Sequence, residues 1–185
     1  MTIHSTHPFA DAEPDPVRRF RGRLGGSVTL WCAGTGATRA GLTVTSLLVA
    51  NGEPPRVVAV LDPDADLTLE LQDAGLAAVS LLAWRHRQLA EVFAGLAPSP
   101  GGPFRAAEFT DTAWGPRPLR TLGWAGLRLE STRELGWSLE VTCLLEHAEV
   151  EDAGPEMTGG PDGAGPESAG LAHRRGRYLG WPDPR

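Results

Sequence analysis

The sequence predicts a mainly β protein with short helices, closed into a small β-barrel. Three observations point to this class: six or seven short runs suited to strands, only two helical patterns set between those strands, and many turns marked by Gly and Pro. A layered α/β sheet would need a regular alternation of strands and helices, which this sequence does not have. It also has no GxGxxG at a strand–helix junction and no GxxxxGK[ST], so a Rossmann or P-loop nucleotide site is not predicted.

The chain begins with residues 1–16, which are rich in Pro and Asp and are predicted to be flexible. Pro16 then opens a short basic segment that predicts a helix, because Pro suits the first helical turn. Gly25 and Gly26 would stop this helix.

Three strands are predicted next. The run at 27–32 is β-branched and aromatic, and a glycine turn after it predicts a hairpin with the run at 42–49. The third run, 56–61, is apolar throughout after its first residue, which predicts a strand buried on both faces.

A helix follows, with Asp64 or Asp66 as its N-cap and Gly75 as its C-terminal glycine. The run at 76–83 predicts a fourth strand. A second short helix is predicted at 86–94, because its apolar residues recur at the spacing of one helix face.

The second half of the domain is less regular. Residues 96–118 are rich in Pro and Gly and predict little regular structure. Two longer strands are then predicted at 122–129 and 138–150, joined through 133–136.

We expect one domain over residues 17–150, followed by a linker and a returning tail. Residues 151–170 are of low complexity, with five acids and no base, and predict a disordered acidic Gly/Pro linker. The formal net charge of −6 falls to −1 without those five acids (−6 + 5). Residues 171–185 resume with arginines and aromatics and predict a C-terminal strand that completes the domain.

Composition excludes several classes of function. The acidic balance argues against nucleic acid as a partner, and no apolar run is long enough to span a bilayer. The two cysteines, Cys32 and Cys143, lie in apolar runs without metal-ligand spacing, so we expect buried free thiols and no metal site. With no secretory signal pattern at the start, we expect a cytoplasmic protein.

One stretch carries polar side chains where a buried strand would not need them. Thr43, Thr45 and Ser46 place hydroxyls along a strand that then turns through Pro54 and Pro55. Alternate residues of a strand face one side, so such hydroxyls can bind a polar ligand. The alternative is a half-exposed strand with ordinary threonine propensity.

Taken together, these pieces resemble the flavin reductase-like family, whose fold is the FMN-binding split β-barrel of Greek-key type. The resemblance covers roughly residues 20–150 and 171–179. The matching stretches are Gly41-Leu42-Thr43-Val44-Thr45-Ser46, Glu53-Pro54-Pro55, Gly75 with Ala78-Val79-Ser80-Leu81, the segment 89–95, and His173, Gly176 and Tyr178.

The resemblance implies an NAD(P)H-dependent flavin reductase, or the reductase component that supplies reduced flavin to a partner monooxygenase. It implies FMN, or possibly FAD, as cofactor and NAD(P)H as hydride donor, in a homodimer with the flavin pocket at the subunit interface. The flavin contacts it implies are Thr43, Val44, Thr45, Ser46, Ser80 and Leu81. His173 and Arg174 would face a phosphate or the nicotinamide, because arginine binds phosphate bidentately. No catalytic side chain is expected, because hydride transfer to flavin needs little acid–base help.

The chain departs from the family pattern at two places. Asp64 and Asp66 stand where small hydroxyl residues are usual, and they would repel a phosphate nearby unless they point away or pair with an arginine. Gly136-Trp137-Ser138 stands where the family has a Gly-Asp-His turn, which removes the imidazole and adds the large ring of Trp137. The alternatives are therefore a non-catalytic split-barrel module that binds flavin, haem or another aromatic ligand, or an F420- or pyridoxal-phosphate-related oxidase.

Overall fold

The computed structural model describes residues 16–150 and 169–181. The predicted flexible start and almost all of the predicted acidic linker lie outside these residues. The helices are α1 (Pro16–Leu24), α2 (Asp66–Ala74) and α3 (Arg87–Phe93). The strands are β1 (Gly26–Ser27), β2 (Thr29–Ala33), β3 (Ala40–Val44), β4 (Leu47–Ala50), β5 (Arg56–Leu61), β6 (Leu76–Leu81), β7 (Phe109–Thr112), β8 (Gly115–Pro118), β9 (Gly123–Leu135), β10 (Ser138–Val150), β11 (Gly170–Arg174) and β12 (Arg177–Trp181).

Seven strands form one antiparallel sheet in the order β3-β2-β6-β9-β10-β5-β4. Its two edge strands, β3 and β4, are consecutive in the chain and only Thr45 and Ser46 separate them. The sheet must therefore curl until its edges meet at this bend, which makes a barrel. The mainly β fold is confirmed, but the single strand predicted at 42–49 is wrong, because the chain bends there to pass from one edge to the other.

The barrel interior is an apolar core built by alternation along the strands. Val57, Ala59 and Leu61 of β5 point inward and are buried, as is Trp31 of β2. The intervening residues of β5 are only half-buried. The prediction that 56–61 is buried on both faces is therefore wrong: one face of β5 meets the core and the other faces outward.

A second apolar cluster covers the outer face of β2. Leu30 and Cys32 pack there with Leu89 and Phe93 of α3 and with Leu171 of β11. The predicted helix at 86–94 is confirmed as α3, preceded by a 3-10 turn at Trp84–His86. Both cysteines are free and buried.

Strands β1, β11 and β12 form a separate small sheet in the order β1-β11-β12. The strand predicted at 27–32 is interrupted, because Gly26–Ser27 pairs with β11 while Thr29–Ala33 joins the barrel. Val28 lies between the two sheets: its amide donates to the Leu171 carbonyl at 2.8 Å, and its carbonyl accepts from the Leu82 amide at 3.1 Å.

Helix α2 ends as predicted but does not begin as predicted. Gly75 has the left-handed conformation, with φ of 70°, and its amide donates to the Leu71 carbonyl at 2.9 Å. The N-cap residue is Ala65, which has no side chain able to cap, so neither Asp64 nor Asp66 fills that role. Asp62 instead accepts the Asp64 amide at 3.0 Å, in the turn before the helix.

The second half differs most from expectation. Residues 96–118 contain the hairpin β7–β8, whose Trp114 lies directly over Gly126 of β9. The long pair β9–β10 turns at Gly136 and Trp137, not at 133–136. The strand predicted at 76–83 ends at Leu81.

Candidate functional site

Two widely separated stretches of predicted site residues meet across β2. In the strand register, Leu30 of β2 pairs with Thr43 of β3 on one side and with Ser80 of β6 on the other. One row further, Thr29 pairs with Val44 and with Leu81 in the same way. The fold therefore places four of the predicted flavin contacts on two adjacent rows near one end of the barrel.

Two of these four side chains are already engaged or buried. The Thr43 hydroxyl donates to the Ala90 carbonyl of α3 at 2.7 Å, so it ties the helix to the sheet. Ser80 is fully buried, and its hydroxyl has no hydrogen-bond partner among residues 16–150 and 169–181. Helix α3 and strand β8 cover this face of the sheet, so neither hydroxyl is open to a ligand as large as a flavin.

The next row, with Val44 and Leu81, is open to solvent only at Leu81. Val44 is buried, and its carbonyl accepts a hydrogen bond from the Thr29 hydroxyl at 2.7 Å. Leu81, at the end of β6, is 38% exposed although its side of the strand faces the barrel interior. Leu81 therefore presents an apolar surface at the open end of the barrel.

The bend between β3 and β4 is the exposed polar part of the site. Thr45 and Ser46 are both exposed. The Ser46 hydroxyl donates to the Val60 carbonyl at 2.5 Å, whereas the Thr45 hydroxyl bonds to no described residue. Because β3 pairs only with β2, its other edge also offers backbone N–H and C=O groups that no neighbouring strand uses.

The C-terminal hairpin reaches this bend through Gly26. A Cβ atom on Gly26 would lie 3.0 Å from the Thr45 carbonyl oxygen, and Gly26 pairs with His173 of β11. The close approach needs a glycine, since a side chain would push the two segments apart. His173 is thereby brought to the Thr45 side of β11, although almost the whole described chain separates the two in sequence. Arg174 is the next residue of β11, and its side chain lies on the other face, beside Gly25.

His173 is half-buried in a mixed environment. Its ring packs edge-on against Tyr178, with ring centroids 5.3 Å apart. Burial, and secondly the nearby charge of Arg21, hold the pKa of His173 below its usual value, so the neutral imidazole is favoured. Burial, and secondly Glu91, raise the pKa of Tyr178.

The acids that depart from the family pattern lie on the opposite side of the bend. Asp62, Asp64 and Asp66 follow β5 directly, two or more residues beyond Val60, which is bonded to Ser46. Asp62, Asp64 and Asp66 are all exposed, and none pairs with an arginine among the described residues. The bend thus has carboxylates on its β5 side and His173 on its β11 side.

Trp137, in the segment that stands in place of the family's Gly-Asp-His turn, is 71% exposed at the tip of the β9–β10 hairpin. Leu139 nearby pairs with Leu61 at the end of β5, so this tip lies at the same end of the barrel as Ser46. Arg21 of α1, which is not among the predicted site residues, lies close enough to His173 to lower the pKa of that residue. The signal for it in the sequence is the excess of arginine over acid in α1.

Neither grouped metal ligands nor a membrane-spanning helix is found in the part of the chain that the structure describes. No three His, Cys, Asp or Glu side chains within 16–150 and 169–181 are grouped so that they could hold a metal ion. In the same residues, no helix has the length and apolar character needed to cross a membrane.

Comparison with known proteins gives a consistent result. The model of the flavin reductase like domain matches residues 21–182. No curated protein sequence matches significantly.

Several solved structures share the fold. BorF, the flavin reductase component of a bacterial two-component tryptophan halogenase, is 21% identical, with 91% of this chain and 98% of that chain covered and a TM-score of 0.74. The NADH:FAD oxidoreductase SgcE6 of Streptomyces globisporus is 20% identical over 95% of each chain, with a TM-score of 0.75. The styrene monooxygenase flavin reductase SMOB of Pseudomonas putida is 21% identical over 91% and 99%, with a TM-score of 0.72. The predicted split-barrel fold is confirmed.

Proposed function

Because this chain belongs to the flavin reductase-like family, we propose that it transfers a hydride from NAD(P)H to a flavin, FMN or FAD, bound at the Thr45–Ser46 bend. The observation that carries the proposal is the meeting at this bend of exposed hydroxyls, an unpaired strand edge and the C-terminal hairpin with His173. Flavins need hydrogen bonds to the ring edge, apolar contact to the ring and positive charge for phosphate. The bend and Leu81 offer the first two, and the long arginine side chains of the hairpin would supply the third.

The residues present fit a flavin, but not all of those predicted from the sequence. Thr45 and the outer edge of β3 are free to donate and accept hydrogen bonds, whereas the Ser46 hydroxyl, which donates to Val60, can only accept one. Leu81 supplies exposed apolar surface. The side chains of Thr43 and Ser80 are covered, so we assign them to the support of the site. Val44 would contribute through its backbone alone.

A bound flavin would accept the hydride and carry it to its next reaction, so the redox chemistry belongs to the cofactor. This chain's residues bind and orient the two rings and keep water from them. His173 is positioned as a neutral hydrogen-bonding group near Thr45, and Arg174 supplies positive charge for a phosphate. No side chain of the bend is needed as an acid or base.

We also propose that the chain acts as a homodimer whose interface lies beside the bend. β4 is an edge strand of the sheet, and its Leu48 and Val49 are each 58% exposed. An edge strand with exposed large apolar side chains favours burial against a second copy. Light scattering after size exclusion, on the wild type and on Leu48→Asp, tests this: a dimer that the substitution disrupts is expected.

The relatives suggest what receives the reduced flavin. BorF and SMOB are reductase components of a halogenase and of a styrene monooxygenase, respectively. By analogy, we propose that reduced flavin leaves this protein for a partner monooxygenase or related flavin-dependent enzyme. The cytoplasmic location stays a prediction from the sequence.

A flavin titration tests the proposal directly. FMN and FAD are added to the purified protein while flavin fluorescence is followed, and NADH or NADPH oxidation is then measured with and without flavin. We expect saturable quenching and oxidation that depends on flavin. Saturable binding without oxidation would favour the non-catalytic module instead, and absence of any flavin binding would overturn both.

A further inference from the structure

The C-terminal hairpin β11–β12 presents exposed arginines on one of its faces. Arg174 and Arg177 occupy directly opposite positions on the two strands, so their side chains lie on the same face of the hairpin. Leu179 shares that face and is 45% exposed, and Arg175 in the turn is exposed as well. We call these four residues the arginine face. His173 lies on the other face, toward the bend, so the arginine face is a separate surface.

Helix α1 brings more positive charge to the same part of the molecule. The Arg175 amide donates to the Gly22 carbonyl at 2.8 Å, which ties the hairpin turn to α1. Residues 16–27 and 169–181, which form α1, β1 and the hairpin, contain seven arginines and no aspartate or glutamate. The arginine face therefore lies in a region where only positive formal charges occur.

No ion pair within 16–150 and 169–181 offsets the charge of the hairpin. The four ion pairs found there all join residues of β5, β9 and β10, and none includes Arg174, Arg175 or Arg177. Like charges directly opposite one another on paired strands are destabilising. A hairpin that keeps Arg174 opposite Arg177 would therefore gain stability from a negative charge nearby.

The sequence holds a matching negative charge directly before the hairpin. Residues 151–168, which we call the acidic segment, contain five carboxylates and no arginine or lysine. They lie outside the described residues, and the chain passes from them through Ala169 into Gly170, the first residue of β11. Groups tethered on one chain meet at a high effective concentration, an advantage that a separate partner does not have.

The pairing of the strands shows that the acidic segment has length to spare. Val150, just before the segment, pairs with Gly123, which pairs in turn with Leu81. Two residues after Leu81, Ala83 bridges to Gly170. With neighbouring strands about 5 Å apart, the two ends of the segment are separated by at most about 20–25 Å. Its 18 residues can span about 60 Å when extended, so its middle can reach the hairpin.

We propose that the acidic segment docks on the arginine face of its own molecule and stabilises the hairpin whose strand β11 pairs with β1. Guanidinium groups suit this contact, because each offers several N–H donors to carboxylate oxygens. The attraction joins exposed charges, so each pair contributes little alone and salt weakens them all. The inference does not depend on the proposed function, because Arg175 and Arg177 remain for the segment when Arg174 is used by a phosphate.

A spin label in the acidic segment of the full chain tests the contact directly. Ala164→Cys places a thiol between Asp162 and Glu167, and the label attaches there because Cys32 and Cys143 are both buried. At low salt we expect the label to broaden the Nε–H NMR signals of the arginine face. In 1 M salt, where the Debye length is about 3 Å, most of the lost intensity should return.

A matched variant separates attraction from mere tethering. Glu156→Gln with Asp162→Asn and Glu167→Gln keeps the label and the length of the segment but removes three of its charges. We expect this variant to lose most of the broadening. The Nε–H signal of Arg56, which is paired with Glu130 on β9, should stay sharp throughout and serves as the reference.

A second variant controls for net charge. Asp11→Asn with Glu13→Gln and Asp15→Asn removes three carboxylates that precede α1, and it should keep the broadening. Equal broadening in the wild type and in the variant of the acidic segment would overturn the inference, as would an equal loss in this control. Broadening seen only between a labelled copy and a second, isotope-labelled copy would overturn it too, since the occupant would then be another molecule.

Thermal unfolding gives a second readout. At low salt, the variant of the acidic segment should melt about 2–4 °C below the wild type. The difference should shrink by more than half when Arg174→Gln and Arg177→Gln are also present, because the charges that attract the segment are then reduced. An equal difference in both backgrounds would mean that the segment does not act through the arginine face, which would overturn the inference.

Discussion

Ser46 and Val60 are joined by two hydrogen bonds that hold the bend between β3 and β4 against β5. The Val60 amide donates to the Ser46 carbonyl at 2.9 Å, and the Ser46 hydroxyl donates to the Val60 carbonyl at 2.5 Å. The neighbouring Thr45 hydroxyl is exposed and bonds to no described residue. Adjacent hydroxyls thus have separate roles, one holding the bend against β5 and the other available to a ligand.

This division predicts opposite effects for two threonine substitutions. Thr43→Val removes the bond to the Ala90 carbonyl and should lower the free energy of unfolding by about 1 kcal/mol, with flavin affinity little changed. Thr45→Val should leave stability unchanged and weaken flavin binding severalfold. Urea denaturation and flavin titration of both variants check this. A loss of flavin affinity in Thr43→Val, with a loss of stability in Thr45→Val, would instead place the flavin on the sheet face that α3 covers.

The Trp114 ring packs directly on Gly126, which predicts that a larger residue at position 126 would be destabilising. A Cβ at Gly126 would clash with the Trp114 ring, so Gly126→Ala should displace that ring and destabilise the protein by about 1–3 kcal/mol. Gly22→Ala is the matched control, because no atom lies within 4 Å of its new Cβ and alanine favours the helix α1. Thermal unfolding should separate the two, and equal stability of both variants would contradict the packing.

The lowered pKa of Glu146 predicts that the stability of the protein depends on pH in the acid range. Its hydrogen bond to Arg128, and secondly its bond to the Trp114 indole, hold the pKa of Glu146 below its ordinary 4.5. Because the folded pKa is the lower one, the contribution is fully present above the ordinary value and is lost as pH falls through the folded pKa.

Arg128→Gln should therefore raise the pKa of Glu146 toward its ordinary value and flatten this part of the stability profile. Carboxyl NMR titration of wild type and variant measures the shift. The pKa of Glu130, which pairs with Arg56 instead, should stay low in the variant and serves as the internal control.

The lowered pKa of His173 predicts a second pH dependence of stability, at a higher pH than that of Glu146. Its pKa lies below the ordinary 6.5, first through burial and then through Arg21. The stability from its neutral form is complete above that ordinary value and is lost as pH falls toward the folded pKa. Arg21→Gln should raise the pKa of His173 only in part, since burial remains, and imidazole NMR titration tests it. An unchanged pKa would mean that α1 does not lie beside β11.

The strands and the fold class could be predicted because their signals are local. Alternation places Val57, Ala59 and Leu61 inward, and Gly75 ends α2 as a left-handed residue. These features depend on a few neighbouring residues, which sequence reasoning can use directly.

The site could be predicted only in part, because it depends on which segments meet. Nothing local distinguishes Thr43, turned toward α3, from Thr45, which is exposed. The bend at Ser46 follows from closure of the barrel, and β8 is hard to recognise as a strand because Pro116 and Pro118 lie in it. Contacts between the two ends of the chain have no local signature at all.

Because β1 pairs with β11, the small sheet can form only after both ends of the described chain have been synthesised. The ribosome releases β1 early, whereas its partner strand comes almost at the end of the described chain. Until then, the Val28 amide has no Leu171 carbonyl to bond, and the Leu82 carbonyl has no Leu171 amide to accept from. A chain cleaved between β10 and β11 would keep the strands of the seven-stranded sheet but could hold the final hairpin only through these non-covalent contacts.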